Sequence, residues 1–275
     1  MTAAGVGWVN IASCRFWATG PDPALEAYEV ALAFAKQRGL WGNYRWAQAE
    51  TLWALYDKGA WDDVLRIGEE VLGDASGREQ VVAMVEPTRA RVLLARGDIA
   101  AAATVSDANL SRARGIDITQ VIGPALPIAA SVAFARGDVA GTRALLQELA
   151  HVGAGKPAIR LWYLPEALRV AVAIGELSLA HELAAGLEPV LARELNGIAS
   201  AEAILAEAAG DDRALDLYRR AAERWDEYGS IVERAHALGG AGRCGDRAAE
   251  AQARELFASL GARWGDAAVS DAATA

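Results

Sequence analysis

The sequence predicts an all-α fold, a right-handed superhelical solenoid of helix-turn-helix units of the tetratricopeptide kind. Three observations predict it. A glycine that closes an apolar helical run recurs at Gly20, Gly59, Gly97, Gly137, Gly175, Gly210 and Gly245, with spacings of 39, 38, 40, 38, 35 and 35. A period of that size is the mark of stacked helix pairs. An acid follows most of these glycines, as in Asp98, Asp138, Glu176, Asp211 and Asp246. Finally, β-branched alternation never persists long enough to read as a strand.

Each unit begins with a helix A, ended by the glycine, which takes a left-handed conformation without a Cβ penalty. The acid that follows caps the next helix B or complements its dipole. Helix B carries a packing code. Ala24, Tyr28 and Ala31 stand 4, 8 and 11 residues after Gly20, and Ala214, Tyr218 and Ala221 stand at the same offsets from Gly210. Those spacings put three residues on one face, two of them small enough for close helix approach. The units between are more degenerate and rich in alanine. The expectation is one solenoid over residues 1–263, of about seven helix pairs, and a frayed tail over 264–275.

Composition narrows the function. The 275 residues carry 27 basic and 36 acidic side chains, a net charge of −9, which argues against nucleic acid as a partner. Two cysteines are too few for a disulfide framework or a cysteine-rich zinc module. No stretch reaches the ~18 apolar residues of a membrane span. Residues 11–14 superficially resemble a lipoprotein cleavage box, but Asn10 interrupts the short apolar run and no basic residue precedes it, so a plain first helix is expected. The expected compartment is the cytoplasm, with no membrane association.

Several segments carry a family resemblance. They are Arg160–Leu168, the turns at Gly175 and Gly210-Asp211, Val232–Cys244 and Ala253–Arg263, with Trp8–Ile11 and Ala33–Leu40 as earlier members. Together they resemble the C-terminal helical-repeat region of large bacterial signalling ATPases, those fused to class III nucleotide cyclases and the large LuxR-type regulators. The resemblance spans nearly the whole chain through the motifs of a loose repeat. It implies a regulatory or sensory solenoid and no active site, because that family's catalytic parts lie in other domains.

Candidate chemistry reads as structure. The nearest approach to a phosphate loop, Gly153–Pro157, follows a helix and has proline at the Ser/Thr position. Gly240-Ala-Gly242-Arg-Cys-Gly245 matches a dinucleotide fingerprint but has no strand before it. Asp62-Asp63 and Asp211-Asp212 sit where acids complement a helix start. His151, His181 and His236 fall in three different units without metal spacing, and Cys14 and Cys244 have no activating context. The expectation is no catalytic residue, no metal and no cofactor.

In helix-pair solenoids helix A lines the inner face. By resemblance to tetratricopeptide repeats, its inward positions lie 13, 10, 6 and 3 residues before the glycine. Candidates on that face are Trp46, Trp53, Tyr56, Met84, Arg91, Ser131, Phe134, Trp162 and Arg169. Aromatics and two arginines in one row suit a recognition surface. Pro87, Pro127 and Pro165 each stand ten residues before their glycine. They either kink three stacked helices alike or restart each in a first turn, as a packing habit or as a way to widen the groove. Six of nine tryptophans precede residue 62. They fill the core of two units, or some form an exposed docking end, for which Trp8 and Trp17 are the candidates.

The functional expectation is a non-catalytic sensory or scaffolding module in signal transduction or transcriptional regulation. It would bind a protein segment, a peptide or a small-molecule effector on its concave face. The alternatives are a docking fragment of a multidomain ATPase/cyclase regulator and an all-α enzyme.

Overall fold

A computed structural model describes residues 2–73, 78–116 and 118–263; the expected frayed tail lies outside the described residues. Among them the chain is all helix and turn. The odd-numbered helices are α1 (Ala3–Thr19), α3 (Trp41–Asp57), α5 (Glu79–Ala95), α7 (Thr119–Ala135), α9 (Pro157–Ala173), α11 (Ala192–Ala208) and α13 (Ile231–Arg243). The even-numbered ones are α2 (Pro21–Gln37), α4 (Trp61–Gly73), α6 (Ile99–Ile116), α8 (Val139–Gly153), α10 (Leu177–Ala184), α12 (Ala214–Tyr228) and α14 (Arg247–Ser259). The odd helices from α1 to α11 are all 17 residues long. Each of the seven repeating glycines separates an odd helix from the even helix after it, with φ between +67° and +108°.

The acids after the glycines act as expected at three turns. Asp98 accepts from the Ala101 amide at 3.0 Å, Asp138 from Gly141 at 2.8 Å, and Asp246 from Ala248 and Ala249 at 3.1 Å each. Glu176 departs from the pattern: its carboxylate takes Arg143 at 2.5 Å instead of capping α10. Asp62 and Asp63 lie in the first turn of α4 and pair with Arg96 and Arg66, both at 2.6 Å. The alanine–tyrosine–alanine code is buried in both α2 and α12.

Every odd helix packs on its sequence neighbours and also on the next odd helix. The row of odd helices then meets itself, since α1 contacts α11 and α3 contacts α13. Three details mark this closure. The Tyr228 hydroxyl donates to the Phe16 carbonyl, and the Arg263 amide donates to the Ala95 carbonyl at 2.7 Å. Gly20, at φ +108°, abuts the Tyr228 carbonyl so closely that an added Cβ would lie 2.2 Å from the oxygen. Gly20 is therefore demanded twice, by its dihedral and by backbone contact. Gly20→Ala should lower stability by about 2–3 kcal/mol. Gly137→Ala, with φ +75° and open space around it, should lower it by only about 1–2 kcal/mol. Urea unfolding of the two variants measures the difference.

Pro87, Pro127 and Pro165 are the ninth residues of α5, α7 and α9, all buried in helix interiors. The first-turn restart is thereby excluded. Each proline removes one backbone bond and leaves the carbonyl four residues earlier without its helical partner. At Pro165 the neighbouring helix comes close, with a Cβ on Gly197 of α11 falling 3.7 Å from the proline ring.

Candidate functional site

The odd helices, with side chains of α4, α12 and α14, line a partly open cavity of about 440 Å³, within the range of small-molecule sites. Its wall shows the repeat directly. Trp53, Arg91, Ser131, Arg169 and Ile204, each six residues before its glycine, line it from α3, α5, α7, α9 and α11. Tyr56, Leu94, Phe134, Val172 and Glu207, each three before, line it from the same five helices. Seven of the nine concave-face candidates thus meet in one place. Trp46 and Met84 do not: they pack among apolar side chains of adjacent helices. Of the aligned prolines, Pro165 borders the cavity.

The two docking candidates part company. Trp8 is 38% exposed on the outside of α1, tilted against Phe34. Trp17 turns inward, stacks on Trp162 at 4.8 Å and 23°, and tilts against Trp53.

The polar side chains of the wall pair across the interior. Arg91 donates twice to Glu166, at 2.9 and 3.0 Å, and the Ser131 hydroxyl reaches the same carboxylate at 3.3 Å. Arg169 and Glu233 form a two-point pair at 2.9 and 3.0 Å. Arg243 holds Glu207 at 2.7 and 2.8 Å. Arg193 pairs with Asp57 while its guanidinium lies 4.9–5.9 Å from the ring centres of Phe16, Trp17, Trp225 and Tyr228. These pairs join α5 to α9, α9 to α13, α11 to α13 and α3 to α11, so three of the four skip at least one odd helix.

Burial sets the protonation of these groups. It pushes the Tyr56 and Tyr163 phenols well up, so both hydroxyls stay neutral. It also works against the Glu233 carboxylate, but Arg169 more than offsets it and holds Glu233 at about 2. Burial first, and then the Arg169 charge, push His236 down to about 3. Burial alone would weaken the Arg193 cation, and Asp57 more than restores it.

Some wall residues have polar atoms that remain without a protein partner. They are Trp53 Nε1, Thr88 Oγ1, Tyr163 Oη and Arg193 Nε, all on residues that line the cavity. Buried polar atoms are nearly always satisfied; these four are sealed within the packing around the cavity and do not open onto it.

Asp57, Glu166, Arg193, Glu207, Glu233 and His236 were not among the sequence candidates. A signal for three of them was present: Glu207 stands on the row three before its glycine, and two more stand on a further row. The position nine before each glycine shares the inner face, three residues from one predicted row and four from another. It holds Thr88, Glu166 and His236, which line the cavity. The same row holds Glu50, which accepts from the Ser13 hydroxyl at 3.1 Å and whose carboxyl burial pushes upward.

Among the described residues no group of three or more His, Cys, Asp and Glu is placed to hold a metal ion. No helix of the described residues is long and apolar enough to cross a membrane. Comparison with protein-family models and with curated proteins gave no match to this chain.

Proposed function

We propose that the chain is a right-handed superhelical solenoid of seven tetratricopeptide-like helix pairs that works by binding. Its ligand is a small effector, or the tip of a peptide segment, held in the interior cavity. The observation that carries this reading is the convergence of two repeat rows from five helices on one 440 Å³ space. A packed core of apolar residues would have filled that space. Each carboxylate named in the wall is already engaged by an arginine, which suits recognition better than proton transfer. The resemblance to repeat regions of bacterial signalling ATPases is what suggests signal transduction or transcriptional regulation as the setting of such a module. In that setting, ligand contacts made with several units bias the curvature of the stack, and an attached domain reads the change.

The test is to fill the cavity without removing a contact. Ala173 and Ala208 line it and are not fully buried. Thermal-shift screening of small molecules and short peptides should give compounds that raise Tm in the parent chain and fail in Ala173→Phe and Ala208→Phe. Circular dichroism should show unchanged helicity in both variants. Compounds that stabilise parent and filled variants alike would overturn the reading.

A second reading rests on the outer side of the first three helices, where Trp8, Ile11, Val30 and Trp41 are exposed by 38–53%. Four large apolar side chains exposed on three successive helices are the kind of feature that interaction surfaces carry. This keeps open a docking arm for a multidomain regulator, served by Trp8 while Trp17 is committed to the interior. Trp8→Ala should then lose partner capture without any change in cavity ligands.

A further inference from the structure

The chain leaves α14 along the edge of the stack where the glycine turns lie, and further along that edge stand exposed apolar residues. We propose that residues 264–269, which lie outside the described residues, continue along this edge as a strap at the rim of the cavity, with Trp264 on Val139 and Val269 on Leu177. The docking stands on the edge alone; its effect on ligand entry rests on the cavity reading above.

Leu260 sits so close over Gly59 that a Cβ there would clash with it, and the Arg263 Cβ lies 3.3 Å from where a Cβ on Gly97 would stand. The Arg263 amide donates to the Ala95 carbonyl at 2.7 Å. In three residues the chain thus passes from the turn after α3 to the turn after α5. An extended chain covers about 10 Å in three residues, which matches the distance of about 8–10 Å between packed helices. At the same pace residue 266 reaches Gly137 and residue 269 reaches Gly175. Both glycines have open space around them.

The residue two after each of these four glycines is apolar: Trp61, Ile99, Val139 and Leu177. Trp61 is buried in one cluster with Leu260. Val139 and Leu177, further along the same edge, are 43% and 41% exposed. The segment heading toward them reads Trp264-Gly265-Asp266-Ala267-Ala268-Val269. At that pace its two large apolar residues come within side-chain reach of Val139 and Leu177. Asp266 comes to Arg136, the residue before Gly137, whose side chain is 54% exposed and holds Asp107 at 3.4 Å. The cavity opens on this side. Its lining residues nearest the turns, Ala95, Ala173, Ala208 and Ala262, are half-buried or exposed. Ala262 borders the mouth two residues before Trp264, so a strap on this edge narrows the entry.

Disulfide trapping in the whole chain, with Cys14 and Cys244 replaced by serine and copper–phenanthroline as oxidant, tests the docking. Trp264→Cys with Val139→Cys, and Val269→Cys with Leu177→Cys, should close within one chain at least about tenfold faster than Trp264→Cys with Ile118→Cys. Ile118 is also exposed but caps α7 at its far end. Equal rates for the three pairs overturn the proposal, and so does cross-linking between chains in place of cross-linking within one. Stopped-flow binding of 1-anilinonaphthalene-8-sulfonate reads the mouth, the phase lost in Ala173→Phe being the cavity's. Val139→Glu/Leu177→Glu, which frees the strap, should speed that phase by about three- to tenfold. Fast cross-links with an unchanged rate keep the strap and overturn its hold on the mouth. Dye that binds alike in the parent and Ala173→Phe speaks against the cavity reading, while the cross-links still decide the strap.

Discussion

Arg193→Met should destabilise the protein by about 3–5 kcal/mol, the loss expected when one member of a buried ion pair is removed. The side chain of Asp57 is 1% exposed, and Arg193 is its ion-pair partner. Burial already pushes the Asp57 carboxyl upward against the pull of that guanidinium. Without it, Asp57 is left either charged and unpaired or forced to take a proton. The four aromatic rings around Arg193 would also lose a cation that sits among them, each contact being worth roughly 0.5–1 kcal/mol or more when desolvated. The double variant Asp57→Leu/Arg193→Met separates the pair from the packing. Exchanging a buried pair for apolar residues of similar size is often neutral, so most of the loss should return. Urea unfolding measures all three variants. A double variant no more stable than Arg193→Met would show that the guanidinium's contacts with the rings, and not the pair, matter most. Cooperativity supplies a second readout. Stacked repeats touch only their neighbours and unfold by local terms, whereas Arg193 ties α11 to α1, α3 and α12. The parent chain should therefore unfold in one transition, and Arg193→Met should broaden it.

What was legible in the sequence was what repeats. The seven glycines, the acids after them and the alanine–tyrosine–alanine face are all local, each dictated by one turn or one helix face, and each is found where the period puts it. The inner rows are legible for the same reason. A residue three or six positions before a glycine faces the same space in the five units from α3 to α11, so Arg91, Ser131 and Arg169 could be set in one row before any contact was known. Their partners could not. Glu233 meets Arg169 and Asp57 meets Arg193 only because the row of odd helices bends round on itself, and the amount of bending is summed over many small helix-to-helix angles that no single unit encodes. Trp17 shows the same limit. Its place near the end of α1 reads as a free terminus, yet the closure of α1 on α11 turns it into a stacking partner for Trp162. Trp46 and Met84 fit the row thirteen before their glycines. In α3 and α5, however, that end of the helix is taken up by packing, and the row reaches the cavity only with Trp162, Gly197 and Val232.

Acid should weaken the fold through His236. The imidazole lies against Phe257 at 5.1 Å between ring centres, and the charged groups that face it are Arg169, Glu233 and Arg243. Burial and the two arginines outweigh the attraction of Glu233 and hold the ring neutral down to about 3, against 6.5 when free. Above pH 6.5 neither folded nor unfolded chain carries that proton, and the full stability is present. Between 6.5 and about 3 the unfolded chain binds it and the folded chain does not, so stability falls as pH falls, by up to about 1.4 kcal/mol per pH unit for one such group. Glu233, held at about 2 against 4.5, acts in the same direction at lower pH, as its native ion pair with Arg169 is lost. Glu50 and Glu86, whose carboxyls burial pushes upward, act in the opposite direction around the carboxylate range. The difference between parent and His236→Phe removes those shared contributions. Urea unfolding at half-unit steps from pH 7.5 to 5 should give a parent that loses roughly 1–2 kcal/mol more than the variant, with nearly all the divergence below 6.5. Parallel curves would mean that water reaches the imidazole and that the wall around it is open enough to hydrate an imidazolium.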